Sequence, residues 1–138
     1  MHRPVIVTAG MGILFAVFFL SLSSTADAAQ LKVQTAQGIS YISGGVGINE
    51  RDALRAMTKD YSLQLGFAQT SGSYLSGVDV EIQAAGGATV LQAQSKGPWL
   101  FADLPAGKYT VRATTMGNTQ QKITRVTHNR QKTLYFYW

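Results

Sequence analysis

Gly97-Pro98-Trp99-Leu100-Phe101-Ala102-Asp103-Leu104-Pro105-Ala106-Gly107-Lys108-Tyr109-Thr110-Val111 is the stretch that decides the fold. Gly97-Pro98 turns the chain and delivers an aromatic, aliphatic run that places Trp99 in a core. Leu104-Pro105-Ala106-Gly107 then makes a tight connection, because proline fixes one dihedral and glycine frees the next. Tyr109, Val111 and Ala113 alternate with Lys108, Thr110 and Arg112, so every second side chain returns to that core. The period is two, which is the period of a half-buried strand.

The same period continues outward in both directions. Val78, Val80, Ile82 and Ala84 alternate with Asp79, Glu81 and Gln83. In Tyr61-Ser62-Leu63-Gln64-Leu65-Gly66-Phe67 the large apolar residues share one face. Leu134, Phe136 and Trp138 face one way, and Thr133, Tyr135 and Tyr137 the other. Ser71-Gly72-Ser73, Ala85-Gly86-Gly87, Lys96-Gly97-Pro98 and Met116-Gly117-Asn118 supply turns between these runs. Short strands at such spacing predict a mainly β, seven-stranded or near-seven-stranded antiparallel sandwich. Ile123 and Val126 are three apart and cannot share a regular strand face, which predicts a bulge near Thr124 or Arg125.

Residues 29–60 read differently. Leu31-Lys32-Val33 and Ile39 to Ile42 are short strand pieces, and Gly44-Gly45-Val46-Gly47 is a glycine joint. One short helix follows from Asn49 to about Lys59, with Asn49 as its cap and Ala53, Leu54 and Met57 as its apolar stripe. The chain thus divides into residues 1–28, residues 29–60 and a sandwich over residues 61–138.

Residues 1–28 read as a signal peptide. His2 and Arg3 precede an apolar run from Ile13 to Leu22, and Ala26-Asp27-Ala28 has the small-x-small form of a cleavage site. The expectation is a periplasmic protein without a membrane span after cleavage; the alternative is an inner-membrane anchor formed by residues 5–22. The 138 residues are 46% apolar and 14% charged, too apolar for a disordered chain. With no cysteine, disulfide scaffolds, thiolate metal sites and cysteine nucleophiles are all excluded.

The opening stretch resembles a signature of carboxypeptidase regulatory-like domains, in which an aromatic strand precedes D-L-P-x-G-x-Y-x-V. Here the signature is carried by Gly97, Pro98, Trp99, Leu104, Pro105, Gly107 and Tyr109, and Gly77 to Ile82 resembles that family's preceding strand. The resemblance covers roughly residues 61–138. It implies a transthyretin-like (prealbumin-type) β-sandwich, shared with carbohydrate-binding-like modules, serving as an accessory, spacer or binding unit. With Gly44 to Gly47 ahead of Glu50-Arg51 and a terminal aromatic strand, the chain is also similar to exported proteins of Gram-negative bacteria. The hydroxyisourate hydrolases of this sandwich end in Tyr-Arg-Gly-Ser, whereas this chain ends Tyr135-Phe136-Tyr137-Trp138. His128 is the only histidine beyond the expected cleavage site, so that enzyme is a remote reading.

Candidate binding residues come from charge and from exposed aromatics. Lysine and arginine number 12 against 7 acids, a formal charge of +5, and no acid follows Asp103. Arg51, Arg55 and Lys59 are spaced by four and predict a basic stripe on the helix, able to steer the domain to an anionic envelope component or acidic protein. Tyr135 and Tyr137 point away from the Leu134-Phe136-Trp138 face and can stack on sugar rings. His128 reads as a solvated turn residue, Asp79 and Glu81 as neighbours on a solvent face, and Gly44 to Gly47 as a joint without phosphate-loop chemistry. Basic and aromatic residues are not interleaved, so nucleic acid is not an expected partner. The expectation is a non-catalytic periplasmic interaction module that binds an envelope protein or anionic component, with a carbohydrate-binding module for peptidoglycan or another envelope glycan as the alternative. No cofactor or metal is expected.

Overall fold

The computed structural model describes residues 31–138, so the signal-peptide and anchor readings of residues 1–28 lie outside the described residues. The fold is mainly β: nine strands in two sheets and one helix of seven residues or more. The strands are β1 (Gln34–Ala36), β2 (Ile39–Gly44), β3 (Leu63–Ala68), β4 (Asp79–Ala84), β5 (Thr89–Gln94), β6 (Trp99–Ala102), β7 (Gly107–Thr115), β8 (Asn118–Val126) and β9 (Lys132–Tyr137). One sheet has the order β1-β2-β6-β3-β9 and the other β5-β4-β7-β8. The helix α1 (Ile48–Ala56) lies between β2 and β3 in sequence. No helix among the described residues is long and apolar enough to cross a membrane.

The main core fills the space between the sheets. Leu63, Leu65, Phe67, Leu100 and Phe136 from one sheet meet Val80, Ile82, Leu91, Val111 and Val126 from the other. Each such side chain contributes about 1.5–3 kcal/mol on burial. The turn between β6 and β7 carries the chain from one sheet to the other. Leu104 is buried there, the Tyr109 hydroxyl donates to the Pro105 carbonyl at 2.7 Å, and Ser62 Oγ accepts from the Leu104 N–H at 2.8 Å. Gly107 is the first residue of β7 and does not adopt a positive φ, so the turn does not draw on glycine's conformational freedom there.

A second cluster lies on the outward face of the five-stranded sheet. Ile42 and Phe101, partners in register, are covered by Leu54 of α1 and by Tyr61. Residues 31–138 thus supply both apolar clusters and every described strand.

Several expectations are corrected. Nine strands are formed among the described residues, against the seven or near-seven expected, and one pair is parallel: β9 runs alongside β3 from Leu63↔Lys132 to Ala68↔Tyr137. The reason is topological, since β9 arrives from β8 of the other sheet and not through a hairpin from β3. The first strand begins at Gln34, not at Leu31. The helix ends at Ala56; its N-cap is Gly47, and Asn49 lies within the first turn, where it cannot cap. Ala53 is exposed, leaving Leu54 and half-buried Met57 to dock the helix. Trp99 is half-buried at the edge of the second cluster and does not enter the inter-sheet core, because it shares the outward face with Phe101. The bulge near Thr124 is absent: β7 and β8 pair without a break, Thr124 and Val126 face inward, and Ile123 is exposed. The irregularity falls instead between Ile82 and Gln83, where β4 meets β5.

Sheet edges meet at one corner of the sandwich. Asn118, Gln120 and Lys122 lie on the inward side of β8, two residues apart and beyond the apolar core. Lys122 Nζ donates to the Tyr135 carbonyl and Gln120 Nε2 to the Tyr137 carbonyl, while Trp138 Nε1 donates to the Asn118 carbonyl at 3.2 Å. These bonds occupy acceptors on the free edge of β9, and an inward-pointing lysine of this kind obstructs edge-to-edge pairing.

Candidate functional site

The outward face of the five-stranded sheet is built from alternate positions of β2, β6, β3 and β9. Register places Gly44, Trp99, Gly66 and Tyr135 in one row across these four strands. Tyr137 lies one step along β9, opposite Ala68. A Cβ on Gly66 would come within 2.6 Å of the Tyr135 ring, so the missing side chain is what lets that ring lean over β3. Tyr135 and Tyr137 stack with centroids 6.3 Å apart and interplanar angle 30°, and they are 48% and 53% exposed. Trp99 lies two strands from Tyr135, about 10 Å at ordinary strand spacing.

This face therefore presents three aromatic side chains over a glycine floor, and α1 does not cover the two tyrosines. Arg55 stands over the Trp99 ring at 5.3 Å, and Gln64 and Thr133 occupy the adjacent row. Such a surface can stack against the apolar faces of a ring while neighbouring donors and acceptors meet its hydroxyls. The alternation of β9 pointed to Tyr135 and Tyr137. It did not point to Gly66 or Trp99, whose part depends on the pairing of β3 with both β6 and β9.

The three basic residues do not form a stripe. Arg51 Nη1 donates to the Gly45 carbonyl at 3.1 Å, and its guanidinium stands over the Tyr74 ring at 5.3 Å. Arg55 is paired with Asp52 at 3.0 Å, an exposed i,i+3 contact of small energetic weight. Lys59 lies beyond the helix in a 3₁₀ turn, Thr58–Asp60, so the spacing by four no longer places it on the same face. The glycine joint is also occupied from within, since Gly45 N–H donates to Glu50 Oε1 at 3.1 Å.

At the β3 start, Lys59, Asp60, Tyr61, Asp103, His128 and Arg130 line a cleft of about 380 Å³. Burial raises the Tyr61 phenol above its ordinary pKa, and the charges of Asp60 and Asp103 raise it further. Gln131 Nε2 is buried there without a hydrogen-bond partner among the described residues. His128 is exposed in the turn bridged by Thr127 and Arg130, as its sequence context suggested. The cleft mixes two carboxylates with two cations, and among the described residues no group of three or more histidine or carboxylate side chains could hold a metal ion. Asp79 and Glu81 lie on the outward face of the four-stranded sheet, where Glu81 accepts from Gln83 and Thr89.

No protein-family model matches the chain, and no curated protein matches it.

Proposed function

We propose that the protein is a non-catalytic binding module of the cell envelope that takes a glycan on the outward face of β9. One observation carries the reading: Tyr135 and Tyr137 are held side by side and exposed on an outward sheet face, with Gly66 as floor and Trp99 two strands away. Exposed rings cost little entropy to immobilise and bury large area on a partner, so a rigid pair is suited to stacking on sugars. The signal-peptide reading of residues 1–28 supports a periplasmic setting, in which peptidoglycan is the glycan we propose. The resemblance of Gly97 to Val111 to carboxypeptidase regulatory-like domains supports a transthyretin-like module with a binding role and no catalytic one. The division of labour among the three basic residues favours this reading over a continuous basic stripe that docks an anionic partner.

The test is retention on purified peptidoglycan sacculi, measured by co-sedimentation. Wild-type protein is expected to be retained at high as well as low salt. Removing both rings in Tyr135→Ala/Tyr137→Ala is expected to weaken retention about tenfold or more, since each ring contact contributes about 0.5–1.5 kcal/mol beyond its area. The circular dichroism spectrum should be unchanged, because both side chains lie outside the core. Equal retention of the double variant and wild type would overturn the assignment of this face.

A further inference from the structure

Two large apolar side chains, Val46 and Tyr74, are exposed at one small cleft at the end of the sandwich where β2 stops and β6 starts, and Ile48, two residues after Val46, is exposed outside its lining. Val46 and Tyr74 are each 60% exposed and Ile48 is 65% exposed. Val46 comes from the loop that leads into α1, Ile48 is the first residue of α1, and Tyr74 comes from the connection between β3 and β4. The cleft, about 220 Å³, is lined by Val46, Arg51, Tyr74, Leu75 and Pro98.

This exposure is held in place. Gly45 and Gly47 have φ of 99° and 83°, values that a side chain strongly disfavours, and they set Val46 outward between them. Glu50 binds the Gly45 N–H, and Arg51 binds the Gly45 carbonyl while covering the Tyr74 ring. Tyr74 is also bridged to Ala68. A braced cluster of apolar side chains that the fold keeps in water marks a contact surface.

Charge identifies the partner. The two nearby acids are engaged internally, Glu50 by the Gly45 N–H and Asp52 by Arg55. Among the described residues Arg51 has no carboxylate within ion-pair distance, and exposed Lys96 lies two residues before Pro98 of the cleft. Protruding aliphatic and tyrosine side chains flanked by cations are the arrangement that enters the boundary between headgroups and acyl chains of an anionic bilayer. We propose that this loop end docks the domain on an anionic phospholipid surface, with Val46, Ile48 and Tyr74 entering the interface and Arg51 and Lys96 meeting phosphate groups.

The experiment is co-sedimentation of residues 30–138, which contain both apolar clusters, with vesicles of phosphatidylcholine alone or mixed with phosphatidylglycerol. Retention is expected on the phosphatidylglycerol vesicles and should fall as salt rises. Val46→Ser/Ile48→Ser should weaken it about tenfold or more, given the apolar area removed from the interface. Ile123→Ser, at a residue 59% exposed on the other sheet, should leave it unchanged. Circular dichroism and thermal melting show whether each variant is folded; should the double serine variant not fold, Arg51→Gln/Lys96→Gln provides the second test, with the same loss expected. Absence of retention on anionic vesicles, or equal retention by wild type and folded loop variants, would overturn the proposal. The glycan reading stands or falls separately, since Tyr135→Ala/Tyr137→Ala should retain full vesicle binding.

Discussion

The two outward faces of the sandwich are chemically opposite. On the four-stranded sheet, register groups Asp79 with Thr114, Glu81 with Arg112 and Gln83 with Thr110, and only Ile123 is large and apolar among its outward β8 positions. On the five-stranded sheet the outward positions hold Ile42, Phe101, Trp99 and the two tyrosines of β9. The first face ends in solvent. The second is continued by a further layer, in which Leu54 and Tyr61 complete a cluster with Ile42 and Phe101. A strand that buries one face shows strict alternation, whereas one that buries both reads as an apolar run, as Trp99-Leu100-Phe101-Ala102 does.

The largest expected effect tests that difference directly. Phe101→Ala removes a fully buried ring from beneath α1 and is expected to cost about 3–5 kcal/mol. Arg112→Ala, on the exposed face of β7, should change stability by no more than about 0.5 kcal/mol. Urea unfolding gives both values from the midpoint and slope. A small cost for Phe101→Ala would mean that the helix layer is not part of the cooperative fold.

The same contrast explains what was legible in the sequence. Alternation at Val78 to Ala84, Tyr109 to Ala113 and Leu134 to Trp138 located β4, β7 and β9 and assigned their faces correctly. Where the periodic signal was weak, the reading failed. β5 has one fully buried residue, Leu91, and a register shift opposite its start, so it left no clear alternation. In β8 the exposed Ile123 and buried Thr124 invert the usual pattern, and a bulge was inferred where the strand is regular. The parallel pairing of β9 with β3 had no local signature at all. For the candidate site, exposure of Tyr135 and Tyr137 was readable from period two, but the glycine floor and the neighbouring tryptophan are products of register across three strands.

Thr124 offers an intermediate test. Its hydroxyl is buried on the inward face of β8 with no hydrogen-bond partner among the described residues, a cost that the polar outward face of the same sheet does not incur. Thr124→Val replaces that hydroxyl with a methyl group of similar size and is expected to stabilise the fold by about 1 kcal/mol. The urea midpoint should rise with an unchanged slope. A fall in the midpoint would show that the hydroxyl makes a bond that the packing conceals.

The smallest effect appears only in alkali and separates the two phenols by their surroundings. Burial raises both Tyr61 and Tyr109 above the ordinary phenol value of 10.0, but Tyr61 is raised further by Asp60 and Asp103. Because the folded state holds each phenolic proton more tightly than the unfolded chain, their contribution is fully present below about pH 10 and is lost as pH rises through the folded values. Stability should therefore be insensitive to these groups between pH 7 and 9 and decline above about pH 10. Tyr61→Phe should flatten part of that decline, and the part it removes should shrink in high salt, because exposed carboxylates are screened. Tyr109→Phe should flatten a part that salt does not change, while also losing about 1 kcal/mol at neutral pH with its bond to the Pro105 carbonyl. Urea midpoints between pH 7 and 11, at low and high salt, measure these differences. Identical salt responses of the two variants would show that the carboxylates beside Tyr61 have no hold on its titration, and that burial alone governs both sides of the sandwich.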